Sequence, residues 1–108
     1  MLIDFHAHLY DEAGYGEGLV ETARNLGIDR MVVGGGEPRY GLAANAEVRR
    51  LSDQYPDLFV PFARLNLATE GPDMVERYAR AGYRGLRICA PPARYDSEDY
   101  FPVYEAAD

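Results

Sequence analysis

Lysine is absent from this 108-residue chain, and all eleven of its basic residues are arginine. No Schiff base can form on a lysine here, and no carboxylated lysine can bridge two metal ions. Cysteine is nearly absent: Cys89 has no partner within the chain, so there is no internal disulfide. Nothing resembles a signal peptide, and no apolar run is long enough to span a bilayer. Positive charge is in deficit, eighteen acidic residues giving a formal net charge of −7. Such a surface attracts neither nucleic acid nor an anionic membrane. A cytoplasmic enzyme, or part of one, working on a small-molecule substrate is the expectation. Histidine is scarce too, and the only two, His6 and His8, stand one residue apart.

What the chain does contain is an alternation of strand-like and helix-like segments without a shift in composition. Residues 2–8 read as a strand and 11–17 as a polar, glycine-containing loop. A helix is expected over 18–26, with Leu19, Ala23 and Leu26 on one face and Gly27 as its left-handed cap. A short buried strand over 30–34 opens into Gly34-Gly35-Gly36, which reads as a flexible turn because it lacks the spacing and the lysine of a nucleotide loop. A second helix is expected over 42–54, stopped by Pro56. Residues 58–67 form a third strand, a helix starts at Pro72 and runs to Gly82, and 84–90 form a fourth strand. A loop rich in proline and tyrosine follows, then a helix from Pro102 with about two turns before Asp108.

Strands alternating with helices at this spacing predict a parallel α/β sheet. Four βα units are half of an eight-fold TIM-type barrel, which takes about 250 residues when complete. The expected architecture is therefore one partial βα domain over 1–108, the front part of something larger. Its first and fourth strands would have free edges that invite self-association.

His6-Ala7-His8 is the pattern that points to chemistry. On an extended strand the two histidines share a face with Cα atoms about 6.6 Å apart, so both rings can converge on one cation. Neutral imidazole is the commonest metal-binding side chain, and it favours zinc among several divalent metals. The pair lies near the carboxyl end of the first strand, where barrels collect their function. Catalytic zinc takes three protein ligands, and two histidines leave that set incomplete. Asp4, two residues before His6, reads equally as a ligand on the same face or as an ion-pair partner of Arg64. Arg64 and Asn66 alternate on the third strand and could hold a substrate carboxylate, although the internal Asp4–Arg64 pair reads slightly better. Asp11 and Glu12 read as solvated loop residues. Arg87 and Cys89 share a face of the fourth strand, with Cys89 expected to pack as a small hydrophobe. Tyr95, Tyr100, Phe101 and Tyr104 suit either a substrate mouth or a surface covered by further sequence.

Four segments, in order, resemble the amino-terminal part of the amidohydrolase superfamily, and most closely its amidohydrolase-2 branch. They are Ile3-Asp4-Phe5-His6-Ala7-His8, the stretch Phe59 to Asn66, Gly82-Tyr83-Arg84-Gly85-Leu86-Arg87-Ile88, and Tyr100 to Ala107. The resemblance implies a βα barrel holding one or two divalent metals, often zinc, with His6 and His8 as the first two ligands. It implies hydrolysis of an amide, ester or lactone bond by a metal-activated water, with decarboxylation in some members. The later histidines and the final aspartate of that family have no counterpart in these residues. TatD-type nucleases share the opening motif but not an evident glutamate on the fourth strand, and the histidinol-phosphatase-like family is a weaker match. The rival reading is a non-catalytic half-barrel that dimerises through its open edges.

Overall fold

The computed structural model describes residues 1–108. Its elements alternate: β1 (Ile3–His8), α1 (Tyr15–Leu26), β2 (Arg30–Gly34), α2 (Asn45–Gln54), β3 (Phe59–Leu65), α3 (Pro72–Arg80), β4 (Gly85–Ile88) and α4 (Phe101–Ala107). Short 3-10 turns at Pro38–Tyr40 and Glu98–Tyr100 lead into α2 and α4. The four strands are parallel and stand in chain order. This is half of a βα TIM-type barrel, open at the free edges of β1 and β4.

The core lies between the sheet and its helices. On β3 burial alternates strictly: Phe59, Pro61, Ala63 and Leu65 are buried, while Val60, Phe62 and Arg64 on the other face are half-buried. Met31, Val33 and Phe59 pack with Val20 and Ala23 of α1 and Val48 and Leu51 of α2. Leu65 packs with Val75 of α3 and Val103 of α4. Leu65, Val33 and Val48 are essentially fully buried, each worth about 1.5–3 kcal/mol relative to exposure. Helix boundaries follow local chemistry. Pro72 opens α3, where its missing N–H costs nothing, and Gly27 closes α1 at φ 67°, a left-handed position that suits glycine.

Several boundaries differ from the sequence-based reading. α1 begins at Tyr15 rather than residue 18, taking in part of the expected loop. α2 begins at Asn45, because 38–40 form a separate turn. Gly34-Gly35-Gly36 is a tight crossing rather than a flexible turn. A Cβ on Gly35 would collide with the backbone carbonyl of Ala43, and Gly36 donates to that same carbonyl at 3.0 Å. Leu9 donates to Gly34 O and Ala43 to Leu9 O, both at 2.9 Å, so the segment is sewn to the end of β1.

Candidate metal-ligand pair at the end of the first strand

β1 is not a regular strand. Asp4 is level with Met31 and Ala7 with Val33, so three residue steps on β1 oppose two on β2. The extra residue is a bulge, and it breaks the alternation that would have put Asp4 on the face of His6 and His8. Asp4 Oδ1 accepts a hydrogen bond from the backbone N–H of His6 at 3.0 Å. Its carboxylate therefore fixes the bulge. The expected Asp4–Arg64 ion pair does not form: Arg64 Nη2 donates to Glu37 Oε1 at 2.7 Å, and Glu37 also pairs with Arg39. Phe5 and His6 both reach the open face of the sheet, Phe5 meeting Phe62 edge-on at 6.3 Å between ring centroids.

The two histidine rings converge. His6 Nε2 and His8 Nε2 lie 3.1 Å apart, with ring centroids 4.9 Å apart. Two nitrogens each about 2.0–2.1 Å from a tetrahedral zinc ion would stand about 3.3 Å from one another. The pair thus fits a divalent cation in donor type and in spacing. His6 is exposed and His8 half-buried. The His8 pKa is held below its ordinary value, first by burial, then by the Arg87 guanidinium and then by His6. A ring kept neutral retains one ring-nitrogen lone pair, able to accept a hydrogen bond or to bind a cation.

Arg87, on β4, is the residue that the sequence reading left out of the site. It is 9% exposed. Burial lowers its pKa, and it reaches across the open face to β1. Nη1 donates to His8 Nδ1 at 3.0 Å, and Nη1 and Nη2 donate to the Ala7 carbonyl at 3.4 and 3.3 Å. Gly34 makes room for it, since a Cβ there would press on the guanidinium at 3.0 Å. Arginine can only donate, so in the neutral His8 ring the proton sits on Nε2 and is shared with His6. An ion at His8 Nε2 requires the proton on Nδ1 instead. Arg87 therefore competes with the ion for the same ring.

The other candidates lie elsewhere. No third histidine, cysteine or carboxylate joins the pair. Arg64 is on β3, level with Arg87, and its backbone N–H and C=O are both held by the Asn45 side chain, at 2.7 and 2.9 Å. Asn66 lies just beyond β3, its Oδ1 accepting from Ala68 N–H and its own N–H donating to Glu70 Oε2. Glu70 also accepts from the Tyr78 hydroxyl, whose pKa is pushed up to about 12 by burial and by that carboxylate. The Asn66 Oδ1 and backbone N–H are thus engaged in a turn, and the residue lines a surface pocket together with Arg64. Asp11 and Glu12 are exposed, and Cys89, expected to be packed, is exposed after β4. The tyrosines brace the last loop, Tyr104 donating to Tyr95 O at 2.7 Å and Tyr95 to Ile88 O at 3.3 Å.

Fold and sheet order define the class of protein, a partial TIM barrel. The structure is similar to the crystal structure of an uncharacterized TIM-barrel protein, Bb4693 from Bordetella bronchiseptica, with a TM-score of 0.72 and 17% sequence identity. The likeness covers 96% of this chain and 50% of that one, so the chain spans about half the length of that barrel. No family model matches the sequence, and no curated protein does. No helix is long and apolar enough to cross a membrane.

Proposed function

We propose that this chain is the amino-terminal half of a metal-dependent hydrolase barrel of the amidohydrolase type, in which His6 and His8 hold one divalent cation, zinc by preference. The observation that carries the reading is the 3.1 Å convergence of the two Nε2 atoms at the carboxyl end of β1, where a βα barrel places its chemistry. A cation on these two nitrogens would bring the pKa of a coordinated water toward neutrality and polarise the carbonyl of an amide, ester or lactone.

The chain's own residues have defined parts in this reading. Asp4 holds the backbone of His6, and the bulge aims that ring at its neighbour. Arg87 keeps His8 seated while the cation is absent. The remaining ligands come from a complementary half-barrel, since a catalytic zinc takes three protein donors. Arg64, with the Glu37 that it pairs, stands on the same face as a candidate for a substrate carboxylate.

Metal analysis of the purified protein tests this directly. Zinc retained by wild type and lost in His6→Ala/His8→Ala is the expected result. Equal and negligible zinc in both proteins removes the metal reading.

A further inference from the structure

Most arginines of this chain are neutralised on neighbouring carboxylates, Arg50 on Glu47, Arg80 on Glu76 and Arg94 on Asp96 among them. One cleft departs from that pattern. At the amino end of the sheet, away from the histidine pair, a cleft of ≈ 440 Å³ is lined by Arg30, Arg49 and Arg84. Arg30 is the first residue of β2, Arg84 directly precedes β4, and Arg49 projects from α2. The one carboxylate in the lining is that of Asp53, whose Oδ1 pairs with Arg49 at 2.6 Å. Three guanidiniums against one carboxylate leave a local surplus of positive charge in a chain whose net charge is −7.

Backbone carbonyls orient two of these side chains. Arg30 Nη1 donates to Pro56 O at 3.0 Å, and Arg49 Nη1 donates to Gly82 O at 3.3 Å. Gly82, at φ 90°, admits that contact, because a Cβ there would stand 3.0 Å from the Arg49 guanidinium carbon. A carbonyl orients a guanidinium without cancelling its charge, and a guanidinium has further N–H donors to spend. Arg84 is exposed, and its guanidinium has no ion-pair or hydrogen-bond partner. We propose that this cleft binds a phosphate group, free or carried as a phosphomonoester. Guanidinium forks match phosphate and carboxylate oxygens in pairs. Forks from three separate elements suit the several oxygens of a tetrahedral ion better than the two of a planar carboxylate. Phe59 and Pro61 supply an apolar wall beside the arginines for the group that an ester carries. The site is at the far end of the strands from His6 and His8 and needs no cation there.

Isothermal titration of the metal-free protein tests the assignment, with inorganic phosphate and phenyl phosphate as probes in chloride buffer of constant ionic strength. Saturable binding is the expected result in wild type. Arg84→Gln, at an exposed position without a partner, is expected to weaken it about tenfold, the scale of one charged hydrogen-bonding contact. Arg30→Gln should do the same while keeping a donor for the Pro56 carbonyl, so the test does not rest on one variant. Arg77→Gln, on the exposed side of α3, removes the same charge and should leave binding unchanged, as should His6→Ala/His8→Ala. Tighter binding of phenyl phosphate identifies the ligand as a phosphomonoester, and equal or weaker binding identifies it as the free ion. No saturable binding in wild type overturns the proposal, and so does binding that both Arg84→Gln and Arg30→Gln leave intact. An equal loss in Arg77→Gln reduces the effect to general charge, and a loss in His6→Ala/His8→Ala places the anion at the other end of the strands; either result overturns it. Because no metal is present, none of these outcomes bears on the zinc result.

Discussion

His8 is gripped at both ring nitrogens, and the two grips require different tautomers. Arg87 at Nδ1 puts the proton on Nε2, whereas a cation at Nε2 needs it on Nδ1. Arg87→Gln replaces a donor by a side chain whose Oε1 can accept from Nδ1–H. It is expected to raise zinc affinity about tenfold, the usual scale of such supporting contacts, in a competition titration with a chromophoric chelator; unchanged or weaker binding contradicts the antagonism. His8 also predicts a pH dependence in the metal-free protein. Its folded pKa lies below the unfolded value of about 6.5, so between the two the unfolded chain binds more protons and stability rises with pH. The contribution is fully present above about 6.5 and is lost as pH falls toward the folded pKa. Urea midpoints should fall over that acid interval in wild type and less so in His8→Gln; superimposable profiles would contradict it. The histidine pair itself was legible, since two imidazoles at strand spacing are rare and specific. Arg87 was not, because its partner lies 79 residues away and only the sheet brings them together. The same distance problem hid Glu37, 27 residues from the arginine it pairs.

At the scale of elements, strands and helices were readable because apolar residues recur at period two or near 3.6 and glycine or proline marks the ends. The bulge in β1 was invisible. Asp4, His6 and His8 alternate as in a regular strand, and a bulge exists only relative to the neighbouring strand's register. The three glycines that end β2 and follow it were misread for a related reason. Glycine signals either freedom or crowding, and here Gly35 lies against the Ala43 carbonyl. Gly35→Ala is therefore expected to destabilise the chain by about 1–3 kcal/mol, as overfilling a tight contact does. Gly18→Ala, in α1 with open space around it, should be neutral or stabilising. Equal denaturation midpoints for the two variants would show that the crossing after β2 is looser than its geometry implies.

At the scale of the whole molecule, the alternation of βα units made the parallel half-barrel legible, and the likeness to a barrel twice as long agrees with it. The register between strands was not legible, because it is a property of the ladder rather than of any one segment.

The most direct measurement of the central claim is a titration of the metal-free chain with cobalt(II), whose visible absorption reports nitrogen ligation. The account predicts a saturable spectrum in wild type that disappears in both His6→Ala and His8→Ala. A spectrum unchanged by either substitution, or none in wild type, would contradict it.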